Sequence, residues 1–141
     1  MTVTLSDEAR QYIALFEDET GATARDCVVD DEYDRLIFLV TAGEMGEAIG
    51  PGGQHVQSVE EQLDREIKLV EDAPTAEDFV ASALAPAAVY NVTISENDDR
   101  VAYAEVADED RGAAIGTDGR NIDAARDLAA RHFDVDEIEL T

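Results

Sequence analysis

One eleven-residue pattern occurs twice in this chain. Gly46-Glu47-Ala48-Ile49-Gly50-Pro51-Gly52-Gly53-Gln54-His55-Val56 returns as Gly112-Ala113-Ala114-Ile115-Gly116-Thr117-Asp118-Gly119-Arg120-Asn121-Ile122. Both copies read G-x-A-I-G-x-x-G-x-x-[VI], displaced by 66 residues in a chain of 141. A repeat at that period marks a duplicated unit and sets the plan of the whole fold. The flanks repeat with it. Before the first motif lie Arg25 to Val29, an acidic turn at Asp30 to Glu32, and the run Leu36 to Val40. Before the second lie Val89 to Ile94, a turn at Asn97 to Asp99, and Val101 to Val106. Such Val-, Ile- and Tyr-rich runs around Asx-rich turns predict strand hairpins.

After each motif the apolar spacing predicts a helix, with Val56, Val59 and Leu63 inward in the first copy and Ile122, Ala125 and Leu128 in the second. A short strand follows each, Ile67 to Val70 and Glu137 to Leu140. A helix also leads each copy. Ser6 is placed to cap the first, whose apolar face is Ala9, Tyr12, Ile13 and Phe16 and whose stop is Gly21. Thr75, with Asp78 three residues on, is placed to cap the second, over Ala76, Phe79, Val80, Ala83 and Leu84, between Pro74 and Pro86. The expectation is an α+β chain of two units, residues 1–72 and 73–141, each a three-stranded sheet packed against helices.

A G-x-x-G turn between two helices has a definite chemistry. Glycine reaches positive φ and leaves no Cβ to obstruct an approaching chain. The helix that starts next presents amide N–H groups without intrahelical acceptors, and its dipole favours an anion there. Ile49 and Val56, and likewise Ile115 and Ile122, are expected to anchor the two helices to the sheet. Between helices and sheet a groove should remain, apolar on its floor and lined by backbone donors.

The acids bear on where such a site works. Asp and Glu number 34 against 10 Lys and Arg, a formal net charge of -24, and Lys68 is the sole lysine. They are spread along the chain among 45% apolar residues, so neither an acidic tail nor disorder explains them. Self-repulsion of that size opposes compaction in dilute buffer and is screened in molar salt. The composition therefore reports a salt-rich cytoplasm, with high-salt counterions as partners of the surface. No run approaches the length of a membrane helix, and Met1 to Ser6 lack a basic region followed by an apolar one. Cys27, the single cysteine, sits in the apolar run Cys27-Val28-Val29 and reads as a buried structural thiol in a reducing compartment.

On the residues Ile49 to Val56 and Ile115 to Ile122 the chain resembles the KH domain, whose signature is I-G-x-x-G-x-x-[IV]. The leading helix is similar to the type II arrangement, and two such units in tandem resemble the archaeal NusA-like transcription factors. The resemblance implies single-stranded RNA, the nascent transcript, as ligand, with about four nucleotides of backbone held per loop. It implies a non-catalytic role in transcription elongation or termination, no cofactor, and RNA polymerase as a further partner. The implied RNA-binding residues are Ile49, Gly50, Pro51, Gly52, Gly53, Gln54 and His55 in the first copy. In the second they are Arg111, Ile115, Gly116, Thr117, Asp118, Gly119, Arg120 and Asn121. Between the glycines this chain carries no basic residue, and Asp118 would face a phosphate. Arg111, Arg120, Arg126 and Arg131 flank the second loop, as a phosphate footprint or as partners of neighbouring acids. His55 and Asn121 hold matching positions after the loops, where they can meet RNA; for His55 a solvated helix surface is an equal account. A KH-fold adaptor without RNA binding, or an RNA-processing or ribosome-associated protein, is the alternative. Nucleotide-loop and zinc readings fail, because no Lys follows either glycine motif and two histidines with one cysteine make no convincing metal set.

Overall fold

A computed structural model describes residues 5–141; residues 1–4, which open the leader reading above, lie outside it. The chain divides into two compact units, one ending at Asp72 and one running from Ala73 to Thr141.

The first unit runs α1 (Asp7–Thr20), β1 (Ala24–Asp30), β2 (Arg35–Val40), α2 (Met45–Ile49), a 3₁₀ turn (Pro51–Gly53), α3 (Gln54–Leu63) and β3 (Glu66–Glu71). Its helix α1 begins where the Ser6 hydroxyl accepts from the Ala9 N–H at 3.1 Å and stops at Gly21, φ +77°. The sheet order is β1-β2-β3, with β1 antiparallel and β3 parallel to β2. A parallel third strand needs a crossover, and α2, the loop and α3 are that crossover. The core joins Ile13 and Phe16 of α1 to Leu36, Phe38 and Val40 of β2, with Ala48 and Val59 from the crossover helices. The Phe16 and Phe38 rings stack at 4.4 Å between centroids. Cys27 is buried on this core, as the sequence indicates, and burial, with help from Asp26 and Glu8, pushes its thiol up to about 12.

The second unit repeats the order: α4 (Ala76–Ala83), β4 (Val89–Glu96), β5 (Arg100–Val106), a 3₁₀ turn (Asp108–Asp110), α5 (Arg111–Ile115), a 3₁₀ turn (Thr117–Gly119), α6 (Arg120–Phe133) and β6 (Glu137–Leu140). Thr75 caps α4 by accepting from the Asp78 N–H at 3.1 Å. The sheet order β4-β5-β6 has the same sense, with β6 parallel to β5. Where the first copy has Leu36 and Phe38 on its middle strand, the second has Ala102 and Ala104. The space is filled differently: Phe79 of α4 stacks on Phe133 at 4.7 Å, and α6 is 14 residues long against 10 for α3. The extra turn is what carries Phe133 to Phe79.

Among the described residues, every non-glycine with positive φ is an aspartate: Asp34, Asp64, Asp118 and Asp134. Asp64 and Asp134 end α3 and α6 in the left-handed position that glycine most often holds.

Candidate nucleic-acid interface

The two loops have the same backbone. Gly50 has φ, ψ of 75°, 171° and Gly116 has 78°, 171°; Gly53 and Gly119 are at 82°, 13° and 83°, 8°. Between them Gly52 at 62°, 17° is matched by Asp118 at 57°, 20°. Different fillers, Pro-Gly and Thr-Asp, therefore reach one conformation, and in the second copy an aspartate holds a left-handed position that its short side chain tolerates better than most. The first glycine is required twice over. Its φ is positive, and a Cβ on Gly50 would lie 2.5 Å from the His55 ring, while one on Gly116 would lie 2.8 Å from Asn121 Cβ.

Each loop hands directly into a helix whose first turn no side chain caps, at Gly53 for α3 and Gly119 for α6. The amide groups of that turn are the donors available to an anion.

The isoleucines sit opposite to expectation. Ile49 and Ile115 are each 40% exposed and do not anchor their helices; Ala48 and Ala114, fully buried, do. On a helix of five residues only one face reaches the sheet, and the next residue lies about 100° round the axis. Val56 is half-buried, and Ile122, at 5% exposure, is inward as expected. The chain thus leaves a large apolar side chain open beside each glycine loop, at one motif position in both copies.

In the second unit these parts enclose a groove of about 500 Å³. Ile115, Ile122 and Leu140 give it apolar walls, and Arg111, Asp118, Asp123, Arg126 and Glu139 ring it. The sequence places Glu139 and Leu140 in a strand and not in the site; the parallel crossover is what brings β6 beside the start of α6. The arginines are tied to this wall. Arg126 reaches Glu137 at 2.6 Å, Asp123 at 3.6 Å and the Ile138 carbonyl at 3.1 Å, and Arg111 donates to the Thr141 carbonyl at 3.3 Å. For Arg126 the pairing with neighbouring acids is therefore present. Arg120 opens α6, and Arg131 lies in its last turn.

Asn121 turns inward, and His55, half-buried, folds back toward α2. Asn121 is 8% exposed, with its amide nitrogen 3.1 Å from the Ala114 carbonyl and 3.4 Å from those of Ala113 and Ala85. His55 Nδ1 lies 2.7 Å from the Glu47 carbonyl.

No helix among the described residues is long and apolar enough to cross a membrane, and none of their His, Cys, Asp and Glu side chains form a metal-holding group.

Comparison with known proteins places these features. The KH domain family matches residues 10–76, and the family described as NusA-like second KH domain matches residues 76–141. A Halobacterium salinarum relative, named "Probable transcription termination protein NusA", is 67% identical over 141 residues, covering 100% of both chains. A Halococcus morrhuae relative of the same name is 64% identical over 140 residues, covering 99% of each. One solved crystal structure matches with a TM-score of 0.87 at 34% identity, over 97% of this chain and 100% of its own.

Proposed function

The chain belongs to the NusA-like family of tandem KH proteins, and from that membership we propose that it is an RNA-binding transcription elongation and termination factor whose two G-x-x-G loops hold single-stranded RNA. The observation that carries the reading is the repeated pairing of an open isoleucine with a glycine loop that leads into an uncapped helix. A phosphodiester takes the loop and the first amides of α3 or α6, while a base covers Ile49 or Ile115. Covering such a side chain removes apolar surface from water at about 25 cal/mol per Å². Both terms survive in molar salt, where cation–phosphate attraction fades.

In this reading residues 1–72 and 73–141 are the two functional halves, and each holds about four nucleotides. Because one chain carries both loops, a transcript held at one is at high effective concentration for the other. The nascent transcript is the ligand, a salt-rich cytoplasm the setting, its counterions the company of the acidic surface, and RNA polymerase a further partner. The proposed contacts are Ile49 to Gln54 in the first copy, and Arg111 with Ile115 to Arg120 in the second. His55 and Asn121 are assigned to loop support instead.

The test is enrichment of motifs from a random single-stranded RNA pool in molar KCl. The control carries Pro51→Asp, Gly52→Asp and Thr117→Asp, which put two acids in each loop; the left-handed slot at 52 has no heavy atom within 4 Å of an added Cβ. Enrichment by the natural chain and none by a folded control supports the reading. If the natural chain, still folded, enriches nothing, the KH adaptor takes its place. The specific feature favouring the adaptor is Asp118 at the rim of the second groove.

A further inference from the structure

We propose that His55 and Asn121 are positioning residues: each fastens its glycine loop from behind, so that the phosphate-holding backbone is formed before RNA arrives. The inference rests on the RNA-holding reading of the loops and assigns them a support that the motif itself does not contain.

The two side chains are chemically unlike but occupy one place, two residues past the second glycine. His55 approaches the Glu47 carbonyl, and Asn121 approaches that of Ala113, which is the same motif position, and more closely that of Ala114. Those carbonyls belong to α2 and α5, helices of five residues whose closing backbone bonds go to Gly46 and Gly112 and leave the carbonyls that follow without a helical donor. The side chain supplies the donor from across the loop. For His55 this requires the proton on Nδ1, since only an N–H can donate to a carbonyl.

The second contact is steric. The His55 ring and the Asn121 Cβ fill the space beside Gly50 and Gly116 where a Cβ would otherwise stand. The first glycine is thereby held at φ near 76° and ψ of 171° in both copies. Without such a brace the glycines of the first loop would sample many backbone states, and RNA would bear the cost of ordering them. A residue whose task was to touch RNA would stay in the open, whereas Asn121 is buried and its amide nitrogen is committed to backbone carbonyls.

The experiment uses the full chain with His55→Leu, His55→Asn, Asn121→Leu and Asn121→His. Leu keeps bulk and removes the donor; the exchanges place each copy's solution in the other. Two readouts are taken: amide hydrogen exchange of residues 50–56 and 116–122 without RNA, and binding of the enriched RNA in molar KCl. For binding, the other loop carries its paired acids. The Leu variants should speed loop exchange about tenfold and weaken binding at their own copy about tenfold. The exchanges should restore both. Weakened binding with unchanged loop exchange would make the side chain a direct RNA contact and overturn the proposal, as would exchanges that rescue nothing. Should Asn121→Leu unfold its unit, the variants at position 55, a half-buried site, decide the matter. If the natural chain binds no RNA yet the Leu variants loosen the loops and the exchanges tighten them, the fastening stands and the RNA reading alone fails.

Discussion

At Asp118 the demands of turn geometry and ligand chemistry pull apart. Its φ of 57° suits glycine, and its carboxylate lines the groove proposed for a phosphodiester. Asp118→Gly should raise stability by about 0.5–1 kcal/mol, by relieving left-handed strain against some gain in unfolded-chain entropy. It should also tighten RNA binding several-fold at 0.1 M KCl and scarcely at all at molar salt, which paired titrations at the two ionic strengths would check. Cys27 gives a pH dependence. Burial holds its thiol at about 12 against an ordinary 9.0, so the folded state resists ionisation that the unfolded state allows. The stability this contributes is whole below pH 9 and is lost as pH climbs from 9 toward 12. Chemical denaturation of Cys27→Ala should lose that decline, and native protein at pH 8 should resist iodoacetamide until guanidinium is added. The caps at Ser6 and Thr75 could be read directly from sequence, since hydroxyl and spacing suffice to name them. The outward turn of Ile49 and Ile115 was not legible. An apolar letter beside a motif looks like core, and its direction is set by where a five-residue helix meets the sheet.

Among the elements, the crossover from the middle strand to the last makes the site. The repeat displayed its parts in order: hairpin, helix, glycine loop, helix, strand. What the letters lacked was the sense of the last strand. Parallel pairing of β3 with β2, and of β6 with β5, puts the last strand of each unit beside the helix that follows the loop, which is how Glu139 and Leu140 come to line a groove more than twenty positions from Gly116. The aromatic pairs were equally hidden, because stacking of Phe79 on Phe133 depends on α6 being a turn longer than α3. That stack fills what the alanines of β5 leave empty. Phe79→Ala should therefore cost the second unit about 3–5 kcal/mol. Thermal unfolding followed by NMR should show β4–β6 signals lost many degrees below those of the natural chain.

The molecule as a whole carries its acids even into its turns, since all four left-handed non-glycines described are aspartates. Such a surface gains from screening. The melting temperature should climb steadily between 0.1 and 3 M KCl, and a flat calorimetric profile would count against charge repulsion as the cause. RNA affinity should fall by no more than about two orders of magnitude over the same range. With Arg111 and Arg126 as the arginines that line the second groove, the slope of log K on log salt should be no steeper than about −1.5, readable by fluorescence anisotropy. Close relatives in Halobacterium and Halococcus fit the saline setting read from composition. The parallel last strand has one more result, and it concerns time. A unit's loop belongs to the only segment joining its paired parallel strands, so it is fixed when the final strand docks. During synthesis the second copy cannot be complete until Leu140 has been added. The first copy can close some seventy residues earlier. In the proposed reading a transcript would then meet a newly made chain through one copy before the other exists, so that the order of synthesis becomes the order of engagement.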